Sequence, residues 1–442
     1  MGLKYIEPIK SIILLLLVIM SITFTFSIWT YSPHLEPIGE LPTVDISIGE
    51  RLQIKDIIKP YKLTIQYEDG LKGTTDLQDI EKVTNEMSRW KISQLTLVDN
   101  EMNREKFKSF LEQPNQYTLY FHGQVPLPVY DEILTIEETD VPEKTFDYIV
   151  VTWDPKNIGF DVHFINREAG SHYEGKVVAK ELLQSYQTIV TEGQEFPEYE
   201  QLQLNEPVYI ALPSEGIQMK KRTFYQEEIS PTRFRDALFN DPYAVRRTQV
   251  GSNIEEFGDD HALMTVHTDT KTLNFVHPAA ESREMISATE LLLGVFDSIN
   301  EHGGWTDQFR YTYMNPYSRY VKFQLFSNGY PVYSDNSGLT TEITQTFGEG
   351  RVFHYIRPYY TLDGPFTDED YTMPSGTAVA QMLMESDKLD FKMVEEITVG
   401  YYMTYDAERR IFIMEPSWYY LFKGDWIRFS PESLGGDQIG LE

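Results

Sequence analysis

The run at residues 11–29, SIILLLLVIMSITFTFSIW, constrains this chain most, because no charged side chain interrupts it. At a helical rise of about 1.5 Å per residue, a run of this length extends about 28 Å, close to the hydrocarbon thickness of a bilayer. The sequence therefore predicts a single transmembrane helix at residues 11–30.

The charges on either side of this run predict its orientation. Lys4 and Lys10 precede it, whereas the linker at residues 31–42 contains neither Lys nor Arg. The positive-inside rule then predicts a cytoplasmic tail at residues 1–10 and an extracytoplasmic location for the bulk of the chain. A cleaved secretory signal is the competing interpretation, but no alanine occurs before Ala169 to supply a small-residue cleavage site. We therefore expect a retained, single-pass anchor in the cell membrane.

Small polar residues alternate through the outer half of the predicted helix. Ser21 and Thr25 share one side, and Thr23 and Ser27 share the other. Small residues let helices approach closely in lipid, so these four positions, with Trp29 at the outer interface, are candidate contacts with partner helices. The alternative is that each hydroxyl bonds to the carbonyl four residues earlier in its own helix.

Length and composition predict folded domains outside the membrane. The chain has 442 residues, more than a single hydrophobic core usually organises. Of these residues, 41% are hydrophobic, which is ample to bury cores. The formal net charge of −30 argues against nucleic acid as a partner, because phosphates attract clustered Lys and Arg. With no cysteine in the sequence, packing rather than disulfides must stabilise these domains.

Periodicity and turn residues predict an α+β fold with three extracytoplasmic domains. The predicted boundaries are a first domain at 43–147, a middle α+β domain at 148–285 and a C-terminal α+β domain at 286–442. The order helix, strands, helix, strands is predicted twice, at residues 176–278 and 287–430, which indicates a repeated topology.

Several helices are predicted from apolar spacing and caps. Apolar residues three and four apart predict a helix at 76–91, with Thr74, Thr75 and Asp76 as candidate caps. A second helix is predicted at 176–190. Ser287 and Glu290 form a capping-box pattern, and Ser375 is the predicted cap of a later helix.

No motif predicts catalysis, a metal site or a cofactor. Ser88 and Lys91, taken with the Ser-Asp-Asn sequence at residues 334–336, match two of the three signatures of penicillin-binding proteins. However, Ser88 falls near the end of a predicted helix, and the third signature is missing. The histidines show no zinc-binding spacing. We therefore predict a protein that is not an enzyme.

Both ends of the chain resemble the YycH (WalH) family of Firmicutes. The N-terminal stretch has that family's short basic lead, single apolar helix and W-T-Y-x-P exit. Near the C-terminus, NGYPVYSDN and VGYYMTYDAERRIFIMEPSWYYLF are similar to the G-x-P-V-[FY] and G-Y…P-x-W pattern that the family shares with its companion YycI and with PepSY-like domains.

The resemblance implies a regulator in two-component signal transduction. Proteins of this family, together with YycI, bind the membrane part of the sensor histidine kinase WalK (YycG) of the WalK/WalR (YycG/YycF) system and restrain signalling in cell-wall homeostasis. It implies protein–protein interaction in the membrane, with WalK and a YycI-like protein as partners. The leading alternative from another class is an extracytoplasmic ligand-binding sensor, for which a pocket with convergent polar groups would be evidence.

Overall fold

The computed structural model of the chain describes residues 14–23, 25, 47–137, 140–154, 156, 159–178, 182–202, 209–334, 339–362 and 364–430. The chain divides into two compact units, Met1–Asp45 and Ile46–Glu442. The larger unit is mixed α and β and mostly sheet, as the sequence predicts for the fold class.

In the smaller unit, residues 14–23 and 25 are helical and exposed. Within the described ranges, no helix has both the length and the apolar character that crossing a membrane requires. The predicted span at residues 11–30 extends beyond the described residues at both ends, so it stays a prediction.

The first sheet of the larger unit has ten strands in the part of the chain that the structure describes, in the order β10-β9-β2-β1-β4-β6-β7-β8-β3-β5. Neighbouring strands are antiparallel except β3 and β5. The strands are β1 (Lys62–Gln66), β2 (Leu71–Thr74), β3 (Lys91–Asp99), β4 (Gln116–Pro126), β5 (Thr135–Ile136), β6 (Thr145–Trp153), β7 (Phe160–Asn166), β8 (Ser171–Val178), β9 (Glu198–Gln201) and β10 (Ala211–Pro213).

The second sheet has the path β13-β14-β15-β16-β21-β20-β18-β19-β24-β25-β11-β23, with β17 added on β18 and β26 on β25. A separate pair joins β12 (Glu227–Glu228) to β22 (Tyr360–Thr361). The strands of the second sheet are β11 (Ile217–Tyr225), β13 (Arg246–Val250), β14 (Ile254–Gly258), β15 (Leu263–His267), β16 (Thr272–Val276), β17 (Phe309–Asn315), β18 (Tyr320–Ser327), β19 (Tyr330–Tyr333), β20 (Glu342–Phe347), β21 (Val352–Pro358), β23 (Thr367–Met373), β24 (Val394–Asp406), β25 (Ile411–Phe422) and β26 (Asp425–Arg428).

The helices of the larger unit are short, and local capping explains where several begin. Asp76 accepts hydrogen bonds from the backbone of Gln78 and Asp79, and Ser287 accepts one from Glu290 N, as the capping residues predict. They are α1 (Ile54–Ile57), α2 (Leu77–Met87), α3 (Arg104–Leu111), α4 (Leu127–Tyr130), α5 (Leu182–Tyr186, continued by a π turn to Thr191), α6 (Pro231–Leu238), α7 (Ala288–Glu301) and α8 (Gly376–Met384).

One hydrophobic core extends through both sheets of the larger unit. A single cluster of buried side chains includes Leu63 and Ile149 of the first sheet and Phe323 and Val399 of the second. A smaller cluster around Tyr120, Tyr148 and Phe107 covers the other face of the first sheet. Because apolar side chains are buried on both of its faces, packing within the larger unit stabilises the first sheet.

The structure groups the strands differently from the predicted division at residues 147 and 148. That position falls inside β6, which pairs with β4 on one side and β7 on the other. Strand pairing depends on contacts between residues distant in the chain, so sequence order alone does not place such a division.

The predicted repeat of helix and strands is not what the structure shows. The two segments do not form separate sheets: β9 and β10 belong to the first sheet, while β11 lies between β25 and β23 in the second. The helix predicted at 176–190 is also displaced, because residues up to Val178 continue β8 and pair with β3.

Candidate functional site

A cleft lies where the first sheet meets the second, beside the close approach of β4 to β17. Gly123 permits this approach, since a Cβ atom there would lie 2.6 Å from the carbonyl oxygen of Thr312. Next to it, the Tyr311 hydroxyl donates a hydrogen bond to the Gln124 carbonyl oxygen at 2.6 Å. The two sheets are therefore held together at the edge of the cleft.

The cleft has a volume of about 560 Å³, which lies within the range of small-molecule sites. Both sheets and the turns between their strands line it. Among the described residues, its charged lining consists of Arg104, Asp147, Arg167, Glu168, Lys322 and Glu395. Its aromatic lining includes Phe107, Tyr209, Tyr313, Tyr317, Tyr333 and Trp426.

Arg167 joins carboxylates from the two sheets across the cleft. Its Nε lies 3.8 Å from Asp147 Oδ2, and its Nη2 lies 3.8 Å from Glu395 Oε2. The Asp147 carboxylate also accepts a hydrogen bond from the backbone nitrogen of Arg167 at 2.9 Å. Burial raises the pKa of Asp147 to about 6, although the charge of Arg167 opposes this rise.

His122 forms part of the wall with no protein partner for its ring nitrogens among the described residues. The ring stacks on Tyr61, with 4.0 Å between ring centres, and meets the edge of Trp426. Burial, together with the nearby positive charges of Arg310 and Lys62, lowers the pKa of His122 to about 3. The imidazole is therefore neutral at physiological pH, with one nitrogen able to accept a hydrogen bond and one able to donate.

Behind the cleft, a buried ion pair links β1 to β24. Lys62 Nζ lies 2.9 Å from Glu396 Oε1, with side-chain exposures of 3% and 4%. The same oxygen accepts a hydrogen bond from Ile397 N at 3.0 Å. Glu395 lines the cleft while its neighbour Glu396 is buried, at a point where the register of β24 against β25 shifts between Val394 and Glu396.

In the described part of the apolar helix, two hydroxyls bond to carbonyl oxygens of their own helix, as the alternative interpretation predicts. The Thr23 hydroxyl donates to the Ile19 carbonyl oxygen at 2.7 Å, and the Thr25 hydroxyl donates to that of Ser21 at 2.9 Å. Ser27 and Trp29 lie outside the described residues. These bonds satisfy two hydroxyls within the helix, and the partner contacts at all five positions stay a prediction.

The Ser88 and Lys91 pattern does not form a catalytic pair. Ser88 follows the last residue of α2 and donates its hydroxyl to the Asn85 carbonyl oxygen at 2.8 Å. Lys91 Nζ lies 3.3 Å from Glu137. Asp335 and Asn336 lie outside the described residues. In the described ranges, no group of three or more His, Cys, Asp or Glu is arranged to hold a metal ion.

The cleft was missed by sequence reasoning because its lining is spread over strands distant in the chain. The available signal was a charged residue inside an apolar strand. Asp147 stands between Phe146 and Tyr148 in β6, and Lys62 begins a strand whose next three residues are buried. Such charges indicate a buried partner but do not identify it.

Comparison with known proteins covers nearly the whole chain. A model described as YycH protein, N-terminal domain matches residues 7–189, and one described as YycH protein, C-terminal domain matches residues 207–432. The Two-component system WalR/WalK regulatory protein YycH of Bacillus subtilis (strain 168) is 20% identical over 459 residues, which cover 99% of each chain. The crystal structure of YycH from Bacillus subtilis matches with a TM-score of 0.73 and 17% identity, covering 86% of this chain and 98% of that chain. At this identity the structural match establishes a shared fold.

Proposed function

Because the chain belongs to the YycH family, we propose that it regulates a WalK/WalR two-component system. The observation that carries this proposal is the alignment over 99% of both chains with a relative named as a WalR/WalK regulatory protein.

In this proposal the chain is a single-pass membrane protein. The described part of the apolar helix supports this, because Leu14, Leu15, Leu16 and Leu17 are all at least 54% exposed. Four successive residues point to all sides of a helix, so apolar surface on every side is typical of a helix in lipid. Lys4 and Lys10 before the helix favour a cytoplasmic N-terminus.

The proposed partners are WalK and a YycI-like membrane protein, and the proposed effect is restraint of the kinase in cell-wall homeostasis. Contact between transmembrane helices connects extracytoplasmic domains to a kinase whose catalytic part is cytoplasmic. Ser21 with Thr25, and Thr23 with Ser27, supply two small-residue faces for such contacts, with Trp29 at the outer interface.

Protease added to wall-free cells tests the orientation. We expect removal of nearly everything after Tyr31, because those residues are proposed to lie outside the membrane. Disruption of the cells beforehand is the control for protease access. A protected fragment containing residues 150–440 in intact cells would contradict the proposed location.

The regulatory role is tested by measuring phosphorylated WalR in cells with and without the intact chain. Restraint predicts more phosphorylated WalR when the chain is absent, and a return to the parental level when it is restored. Co-purification of WalK with the tagged, full-length chain from membranes should accompany this effect. Unchanged WalR phosphorylation together with no recovered WalK would contradict the proposal.

A further inference from the structure

The charge of the cleft differs from that of the chain around it. The whole sequence contains 68 acidic and 38 basic residues, whereas the described cleft lining has three of each. A site for metal ions or polyamines would instead concentrate carboxylates. Equal numbers of opposite charges in one cleft suit a ligand that carries both signs.

Several of these charges are available to a ligand. Arg104 is exposed and has no ion-pair partner in the part of the chain that the structure describes. Arg167 contacts its two carboxylates only at 3.8 Å, which is longer than a hydrogen bond. Glu168 accepts a single hydrogen bond, from the amide of Gln124 at 2.6 Å. The guanidinium groups can therefore bind a carboxylate, and Glu168 and Glu395 can bind an ammonium group.

The remaining lining suits the body of an organic ligand. Phe107, Tyr209 and Trp426 present aromatic rings to the cleft, and the His122 ring, stacked on Tyr61, forms part of the wall. Aromatic rings of this kind bind the apolar side chains of a ligand.

We infer that this cleft binds a short peptide with a free amino group and a free carboxylate. Arg104 binds the carboxylate, Glu168 binds the amino group, and the rings contact the side chains. This inference goes beyond the proposed regulatory function and does not depend on it, because binding is measured without the kinase.

Ligand-observed NMR on the full-length chain in detergent tests the inference. The probe is a mixture of Ala-Xaa-Ala tripeptides with free termini, in which Xaa covers the natural side chains. We expect saturation transfer to one or more members, and a loss of affinity of about tenfold when either terminus is blocked, since each block removes a charge-assisted hydrogen bond. No transfer to any member, or equal affinity of blocked and free peptides, would overturn the inference.

The variant Arg104→Gln identifies where the carboxylate binds. Arg104 is exposed, so its replacement should leave folding unchanged. We expect weaker binding of the free peptide by about tenfold and no further loss when the peptide is already amidated at its C-terminus. Arg283→Gln is the matched control, because Arg283 is 91% exposed and does not line the cleft. The assignment would be contradicted if Arg104→Gln and Arg283→Gln bound the free peptide with equal affinity. It would also be contradicted if Arg104→Gln further weakened binding of the amidated peptide.

Discussion

At the scale of single residues, burial sets the protonation of the Asp307 carboxyl group. Its Oδ1 accepts a hydrogen bond from Leu362 N at 3.2 Å, whereas Oδ2 has no partner among the described protein groups. Burial raises the pKa of Asp307 from 3.8 to about 7, although the nearby charge of Arg357 opposes the rise. The folded chain therefore holds this proton over a pH range in which the unfolded chain has lost it.

The stability of the fold should consequently depend on pH through Asp307. Between about pH 4 and pH 7 the folded state binds more protons than the unfolded state, so the free energy of unfolding falls as the pH rises. The full penalty, at most about 4 kcal/mol, applies above pH 7. The variant Asp307→Asn keeps an oxygen for Leu362 N and removes the titration. We expect it to be more stable than the parent at pH 8, with a smaller difference at pH 5.

Urea unfolding of the full-length chain in detergent at the two pH values measures this effect. Asp297→Asn is the matched control, because Asp297 is exposed on α7. A stability difference between Asp307→Asn and the parent that is the same at pH 5 and pH 8 would contradict the assigned pKa.

At the scale of elements, the sequence predicted features that local interactions determine, such as the residues at which several helices begin. The helices after Asp76, Ser287 and Ser375 begin where these caps are, because a cap bonds to a backbone only two or three residues away. The helix predicted at 176–190 does not start at residue 176, because β8 extends to Val178 by pairing with β3, and α5 is described from Leu182. Pairing between distant strands overrides local periodicity there.

The contact between β4 and β17 depends on the absence of a side chain at Gly123. In Gly123→Ala the added Cβ would lie 2.6 Å from the Thr312 carbonyl oxygen, so one strand must move. We expect a loss of about 1–3 kcal/mol in the free energy of unfolding, typical of an overpacked site. Gly70→Ala is the matched control, since nothing lies within 4 Å of a Cβ there. Equal unfolding midpoints for the two variants would contradict the close approach.

At the scale of the whole molecule, the Lys62–Glu396 pair joins the two sheets through a buried contact between residues 334 positions apart. Lys62→Met would leave the Glu396 carboxylate buried without its cation. We expect this variant to lose about 3–5 kcal/mol of stability in urea unfolding. The double variant Lys62→Met with Glu396→Gln should regain part of that loss, because it removes the unpaired charge and keeps an acceptor for Ile397 N. Additive losses in the double variant would contradict direct coupling between the sheets.

The family and the fold class could be predicted from the sequence, but the arrangement of the sheets could not. The apolar run and the C-terminal motifs are contiguous in the chain and so are visible in it. The cleft is not, because Asp147, Arg167 and Glu395 meet only after β6, β7 and β24 are placed. The predicted contacts at Ser21, Thr23, Thr25, Ser27 and Trp29 still depend on the pattern of the apolar run.

Co-purification of WalK and the YycI-like protein with two double variants tests the proposed regulation through helix packing most directly. Ser21→Leu with Thr25→Leu fills one small-residue face, and Thr23→Leu with Ser27→Leu fills the other. Interhelical hydrogen bonds average about 0.6 kcal/mol, and lost close packing adds to this. Leu15→Ile with Ile22→Leu is the control, because both positions lie between the two small-residue faces, at least about 60° from each at 100° per residue. We expect one double variant to recover less WalK and the other to recover less of the YycI-like protein, each relative to the control. If both recover the same amounts of both partners as the parent, regulation through the transmembrane helix is wrong.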